Sequence, residues 1–142
     1  IMKDPYSGPA AVTTLIVVLI VKFSALDAIV AEGNWTALMV APLLGRTAVP
    51  LLFLTTPYVR PGGLGAVLAN HLPRPSVIVI LFATVLAILF VLGRPGFWLL
   101  LVNAILFVTV RRMMMHRIGG TTGDTTGSLV ELLELVSLLT MI

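Results

Sequence analysis

The chain alternates long apolar stretches with short polar links, and this pattern predicts membrane-spanning helices. Five apolar stretches stand out, at residues 9–31, 35–56, 76–92, 95–110 and 125–142. An α-helix rises about 1.5 Å per residue, so about 20 apolar residues cross the hydrocarbon core of a bilayer. We therefore expect an all-α polytopic membrane protein with about five transmembrane helices, forming a single integral-membrane domain over residues 1–142.

Composition supports this class and excludes several kinds of site. Hydrophobic residues make up 58% of the chain and charged residues only 11%, whereas soluble domains carry about 25% charged residues. The chain has no cysteine, which excludes disulfides, thiolate metal sites and iron–sulfur clusters. Its two histidines, His71 and His116, lie far apart, so we expect no histidine metal cluster. The first nine residues look like an internal loop, and we expect the chain to be the C-terminal part of a longer protein.

The segment 118–134, IGGTTGDTTGSLVELLE, is the strongest candidate for a binding site. Its four glycines allow sharp turns and close approach to a ligand, and its threonines supply hydroxyls, which suits a phosphate. A helix starting near Thr125 would place Asp124 and Glu131 on nearly one face, with Glu134 a turn further along. Alternatively, the glycines only form a turn and Thr125 caps the next helix. No Lys follows the glycines as in a Walker loop, and the GxGxxG spacing is absent.

Two basic residues lie inside predicted spans. Arg46 stands between Pro42 and Pro50, where the prolines free backbone carbonyls and Gly45 lets another backbone approach. An arginine cannot lose its proton, so Arg46 needs an anionic partner. Glu131 or Glu134 is the candidate within this chain, and a substrate phosphate is the alternative. For Lys22 we favour a side chain that extends toward the far membrane interface over one that contacts a ligand.

The longest polar link runs from residue 57 to residue 75 and carries Arg60 and three glycines. It is either a mobile flap over a ligand, with Arg60 binding a phosphate, or an ordinary interfacial loop with a short surface helix at 65–72. The two predicted spans that follow, 76–92 and 95–110, are almost wholly apolar, so we expect them to have a structural role. Their polar exception, Asn103, is expected to make a hydrogen bond between helices.

Basic residues also predict the orientation. Six of the nine lie at one set of helix ends, and Arg94 alone lies at the other: the six are Lys3, Arg60, Arg74, Arg111, Arg112 and Arg117. The positive-inside rule then places the N-terminal loop, the 57–75 link and the glycine–threonine loop together on the cytoplasmic side. A membrane enzyme acting on a cytosolic phosphorylated substrate would need this arrangement.

Four motifs in this order resemble the cobalamin synthase family, whose members are also called adenosylcobinamide-GDP ribazoletransferases. They are IMKDPYSGP, GRTAVP, PGGLG and GGTTGDTTGSLVELLEL, and together they cover essentially the whole chain. The resemblance implies a transferase of the bacterial or archaeal cytoplasmic (inner) membrane. It joins adenosylcobinamide-GDP to α-ribazole or its 5′-phosphate, gives adenosylcobalamin or its 5′-phosphate plus GMP, and requires Mg²⁺. No aromatic residues are interleaved with the basic ones as in a nucleic-acid platform, so we expect no nucleic-acid partner. A homo-oligomer stays open.

The resemblance also implies site residues, and Arg60 and Thr125 join them from the composition of their glycine-rich loops. The catalytic candidates are Asp124, Asp4 and Arg46, and the phosphate-binding candidates are Lys3, Arg60, Gly123, Thr125, Gly127, Glu131 and Glu134. Asp124 and Asp4 are also the candidates for Mg²⁺, but the family's main metal ligands are expected upstream, in an aspartate-rich half that this chain lacks. Two other classes of function remain open: a small-solute or ion transporter, and a non-catalytic membrane subunit.

Overall fold

The computed structural model describes residues 8–60 and 62–142. This part of the chain forms six helices and no β-strand: α1 Pro9–Ala31, α2 Trp35–Thr55, α3 Leu64–Asn70, α4 Arg74–Leu92, α5 Arg94–Ile118 and α6 Gly123–Thr140. The predicted all-α, polytopic class is confirmed. The short surface helix expected at 65–72 is α3.

Four of the described helices are long and apolar enough to cross a membrane: Ala11–Ala31, Trp35–Thr55, Arg74–Leu92 and Arg94–Ile118. The count differs from the predicted five because of α6, which forms as expected but carries Asp124, Glu131 and Glu134 within 18 residues. Three carboxylates are costly in hydrocarbon. Instead, α6 lies against α1, α2 and α5, so other helices surround much of it.

Small residues allow α6 to pack closely on α2. The buried positions of α2 recur every three or four residues and so share one face. On that face Gly45 leaves room for α6, because an added Cβ would lie 2.8 Å from Glu134 Cγ and 3.2 Å from Val130 Cγ1, and those side chains would have to shift. Two apolar clusters extend the α2–α6 contact: Ala48, Leu52, Phe107, Met114, Leu129 and Leu133 on one side, and Ala25, Ile29, Ala37, Ala41 and Leu138 on the other.

Helix ends differ from the predicted bounds where local chemistry decides them. Helix α5 continues to Ile118, eight residues past the predicted end, and stops where Gly119 adopts a left-handed conformation with φ of +71°. Helix α6 begins at Gly123, two residues before the predicted start, because Thr122 is its N-cap. The basic RRMMMHR segment is therefore helical.

The hydrogen bond predicted for Asn103 is confirmed. Ser137 Oγ of α6 donates to Asn103 Oδ1 of α5 at 3.1 Å, and Asn103 Nδ2 donates to the Leu99 carbonyl at 2.9 Å. Both side chains are buried. This bond fixes α5 against α6 at a point where an unpaired amide would be costly.

Candidate functional site

The glycine–threonine loop docks on the segment that follows α2. Val59 N donates to the Thr121 carbonyl and Thr121 N donates to the Pro57 carbonyl, each at 2.9 Å. Gly120 makes this approach possible, because a Cβ there would lie 2.3 Å from the Pro57 oxygen. The structure thus brings the glycine–threonine loop and the 57–75 link to one end of the helices, as their predicted common side requires.

The threonine hydroxyls of this loop bond to one another and to the backbone. Thr122 Oγ1 accepts from Thr125 N at 3.3 Å, and Thr125 Oγ1 accepts from Thr122 N at 2.9 Å, which is a reciprocal capping box. Thr121 Oγ1 lies 3.0 Å from the hydroxyls of both Thr125 and Thr126. These hydroxyls therefore hold the loop in shape. The predicted cap exists, but Thr122 is the N-cap residue and Thr125 its partner.

An exposed ion pair lies at the mouth of a cleft beside this loop. Arg60 Nη1 is 3.2 Å from Asp124 Oδ2, and the two side chains are 58% and 86% exposed. The cleft has a volume of about 470 Å³ and is lined by Tyr58, Arg60, Gly62, Gly63, Gly65, Gly123 and Asp124. At this exposure the pair is weak. Both charges are thus available to a ligand.

Tyr58 explains why glycines line the cleft. A Cβ on Gly63 would lie 2.3 Å from Tyr58 Oη, and one on Gly65 would lie 2.5 Å from Tyr58 Cε2. Gly63 and Gly65 therefore lie directly against the tyrosine ring, which itself packs edge-to-face on Phe53 at 6.0 Å. Gly127 is different, because no atom lies within 4 Å of its added Cβ.

Deeper among the helices, Lys22 bridges both glutamates of α6. Its Nζ lies 2.7 Å from Glu131 Oε2 and 2.7 Å from Glu134 Oε2. Lys22 is 19% exposed and Glu134 14%, but Glu131 is 52% exposed. The three groups carry a formal net charge of −1. The outward extension favoured for Lys22 is therefore wrong, and its ammonium group holds α1 to α6.

The predicted pairing of Arg46 with a glutamate is also wrong. Gly45 faces α6, and the next residue of a helix is rotated about 100°. Arg46 consequently points away from Glu134 and is exposed, and within residues 8–60 and 62–142 no carboxylate lies at salt-bridge distance from it. The flexible stem of Lys22 reaches the carboxylates instead.

The predicted site residues thus divide into two groups. Arg60, Gly123 and Asp124 line the cleft at the loop end, while Glu131 and Glu134 lie further along α6 with Lys22. Lys3 and Asp4 fall outside the described residues. Lys22 is not among the predicted site residues, because its depth in the span by itself favours extension toward the interface. Two carboxylates three residues apart in an apolar region require a nearby cation. This requirement is the feature of the sequence that points to Lys22.

The described residues supply only part of a Mg²⁺ site. Within the described ranges, no group of three or more His, Cys, Asp or Glu side chains could hold a metal ion. Mg²⁺ commonly binds through one or two carboxylates together with substrate phosphates and water. The exposed carboxylate of Asp124 could serve as one such Mg²⁺ ligand. The carboxylates of Glu131 and Glu134, in contrast, are paired with Lys22.

Comparison with known proteins decides the family. A model of the cobalamin-5-phosphate synthase family matches residues 1–142, the whole chain. The chain belongs to that family. Its predicted resemblance, drawn from four motifs, is therefore confirmed.

Curated relatives share about half of its residues. The chain is 53% identical over 139 residues to the adenosylcobinamide-GDP ribazoletransferase of Pseudomonas fluorescens, covering 98% of the chain and 57% of that protein. It is 52% identical over 141 residues to the protein of the same name in Pseudomonas syringae pv. tomato, covering 99% and 58%. The chain thus spans little more than half the length of these relatives. No solved structure matches it.

Proposed function

We propose that this family member acts in the membrane as an adenosylcobinamide-GDP ribazoletransferase of cobalamin biosynthesis. The observation that carries the proposal is the family match over the entire chain, together with about 52% identity to curated relatives of that name. The proposed reaction joins adenosylcobinamide-GDP to α-ribazole or its 5′-phosphate. Because the relatives are longer, the proposal concerns the complete protein.

The reaction is a phosphoryl-group transfer in this proposal. The ribazole hydroxyl forms a new bond to the phosphorus next to cobinamide, the anhydride bond to the second phosphate breaks, and GMP leaves with the bonding electrons. The hydroxyl proton passes to a base. Charge must be neutralised on the phosphates, and the attacking and leaving oxygens must be aligned.

The cleft beside Asp124 suits the diphosphate. Arg60 offers an exposed guanidinium that can bind phosphate oxygens in two places, and Gly62, Gly63 and Gly123 leave backbone accessible along the wall. A diphosphate would exchange the weak Asp124 contact of Arg60 for stronger phosphate contacts. Asp124 would then be released to hold Mg²⁺ or to accept the ribazole proton.

Mg²⁺ is part of this proposal as a requirement of the complete protein. When bound, it would supply positive charge to the diphosphate oxygens. In this chain Asp124 would be one ligand. Asp4, the second carboxylate expected to contribute, lies outside the described residues.

Glu131 is placed to extend the same site along α6. It follows Asp124 by seven residues, which corresponds to nearly the same face and about 10 Å along the axis. Its half-exposed carboxylate already accepts a hydrogen bond from Lys22. In the proposed site Glu131, Glu134 and Lys22 orient the substrate along α6, whereas Arg46 on α2 points away from Glu134 and is not part of this site.

The proposed location is the cytoplasmic membrane of a bacterium or archaeon, with the cleft facing the cytoplasm. What supports it is the concentration of basic residues at the cleft end: Arg60, Arg74, Arg111, Arg112 and Arg117. Arg111 also stabilises that end, because its guanidinium donates to the Thr55 carbonyl and to Thr56 Oγ1 at the end of α2.

The test is product formation by the complete protein in phospholipid vesicles, supplied with adenosylcobinamide-GDP, α-ribazole and Mg²⁺. Formation of GMP and the joined corrinoid in equal amounts is expected. In Asp124→Asn we expect a rate loss of roughly 100-fold or more and a higher Mg²⁺ requirement. In Arg60→Gln we expect mainly a higher KM for adenosylcobinamide-GDP.

Asp27→Asn is the matched control, because Asp27 is an exposed carboxylate on α1 far from the cleft. It should leave the rate unchanged. A folded complete protein that forms no product from these substrates would contradict the proposed activity. Unchanged rate and Mg²⁺ dependence in Asp124→Asn would instead contradict only the role of Asp124.

A further inference from the structure

A second cleft, of about 620 Å³, lies among α2, α4 and α5, away from the Arg60–Asp124 pair. Its lining includes Leu51 of α2, Phe82 and Val85 of α4, and Ala104 and Val108 of α5. Phe82, Val85 and Val108 are among the exposed apolar side chains of the protein. The cleft therefore opens on an apolar surface of the part of the chain that the structure describes.

The polar groups in this lining are already satisfied within the protein. Thr47 and Thr84 each donate to the carbonyl four residues earlier in their own helix, at 2.6 and 2.9 Å. Asn103 donates to Leu99 and accepts from Ser137. Each of these polar groups already has a partner within the protein and the rest of the lining is apolar, so a hydrocarbon chain suits the cleft better than a polar solute.

Two arginines, Arg74 and Arg112, lie near one end of the cleft, at equal distances in sequence from the α4–α5 turn. Helices α4 and α5 form an antiparallel hairpin around Gly93, and Arg74 precedes that glycine by 19 residues while Arg112 follows it by 19. The last lining residues toward that end, Ile78 and Val108, lie one helical turn closer to the glycine. A spacing of four residues places each arginine on the same helix face as its neighbouring lining residue.

Both arginines are exposed, and within the part of the chain that the structure describes neither has a salt-bridge partner. The cleft ends one helical turn, about 6 Å along each helix axis, from the backbone of these two arginines. An apolar cleft next to two such cations matches an anionic amphiphile. The guanidinium groups bind the phosphate and the cleft takes a chain.

We infer that the cleft between α2, α4 and α5 binds an acidic phospholipid, with one acyl chain in the cleft and the phosphate between Arg74 and Arg112. This site does not depend on the proposed transferase activity. It would also hold α4 against α2, because the core cluster that joins these two helices with α5 lies near the Gly93 end, at Val40, Ile88 and Leu99.

The test measures lipid binding to the complete protein in neutral detergent by native mass spectrometry. Dioleoyl phosphatidylglycerol is titrated against dioleoyl phosphatidylcholine. We expect a clear preference for phosphatidylglycerol, which falls about fivefold in Arg74→Gln, about fivefold in Arg112→Gln and about 25-fold in the double variant. The matched control is Arg94→Gln at the opposite end of the same hairpin, which should bind as the unmodified protein does.

A second pair of variants tests the cleft itself. Ala104→Phe fills it and should reduce retention of phosphatidylglycerol, whereas Ala87→Phe, on an exposed position of α4 outside the lining, should not. Equal binding of the two lipids, or unchanged preference in the Arg74 and Arg112 double variant, would overturn the inference. So would binding of glycerol 3-phosphate as tightly as the lipid, because the site would then recognise a soluble phosphate.

Discussion

Replacing Lys22 with methionine tests the central contact of the membrane-embedded region. Methionine keeps an unbranched side chain of similar length but removes the ammonium group. In the native protein that group lies 2.7 Å from a carboxylate oxygen of both Glu131 and Glu134. The variant leaves two neighbouring carboxylates on α6 without their cation, so we expect the α1–α6 contact to weaken.

The size of the effect follows from the exposure of each partner. A hydrogen bond to a charged group contributes about 1.5–3 kcal/mol when the groups are shielded from water, which fits Glu134 at 14% exposure. Glu131 is 52% exposed, and an exposed pair contributes about 0–1 kcal/mol. Lys22→Met should therefore lower the free energy of unfolding by roughly 1.5–4 kcal/mol, most of it through Glu134.

The measurement is denaturant unfolding of the complete protein in mixed micelles, with Arg46→Met as the matched control. Arg46 also lies within a predicted span but has no carboxylate partner among the described residues, so its replacement should cost less than about 1 kcal/mol. A cycle combining Lys22→Met with Glu134→Gln should show a coupling energy above about 1 kcal/mol. Equal losses in the Lys22 and Arg46 variants, or no coupling to Glu134, would refute the assigned contact.

Three further changes probe the loop and the helix core. Gly120→Ala should destabilise the protein by about 1–3 kcal/mol in the same unfolding assay, because its Cβ would collide with the Pro57 carbonyl. Gly127→Ala should stabilise α6 by up to about 1 kcal/mol, since its added Cβ meets no atom; a loss of stability there would be the contrary result. Ser137→Ala should cost about 0.5–1.5 kcal/mol by leaving Asn103 Oδ1 unpaired, and no loss would show that the bond is unimportant.

Gly127→Ala also distinguishes a glycine that is needed for helix packing from one that is needed for a substrate to approach the backbone. If the variant is more stable yet forms product more slowly, the glycine is needed by a substrate and not by the fold. Unchanged product formation would argue against the predicted role of Gly127 in binding. The comparison needs both stability and rate measured on one preparation.

Much of the fold follows from local sequence. Continuous apolar stretches predict helices and their approximate ends, as the match between the predicted 9–31 and α1 shows. The basic residues predict which loops share a side, and the Val59–Thr121 contact agrees with that prediction. Asn103 was predicted to bond between helices because a lone amide in an apolar helix needs a partner.

The candidate site was only partly predictable. The residue types of Arg60 and Asp124 predict that both belong to the site. Their contact depends on the packing of the glycine–threonine loop against Pro57, which Gly120 allows. The threonines of the same loop allow two predictions, a ligand contact or a helix cap, and several of them bond to one another and cap α6. Hydroxyls suit both purposes equally, so only the folded loop distinguishes them.

By itself, the sequence determined that this is a helical membrane protein of the cobalamin-5-phosphate synthase family, with charges placed at membrane depth. Tertiary structure decided which charges meet. Helices such as α1 and α4 are apolar on almost every face, so hydrophobic periodicity does not reveal their rotation. A rotation of about 100° separates the inward-facing Gly45 from the outward-facing Arg46. That rotation, set by close packing of α2 on α6, leaves Lys22 as the cation that neutralises the glutamates.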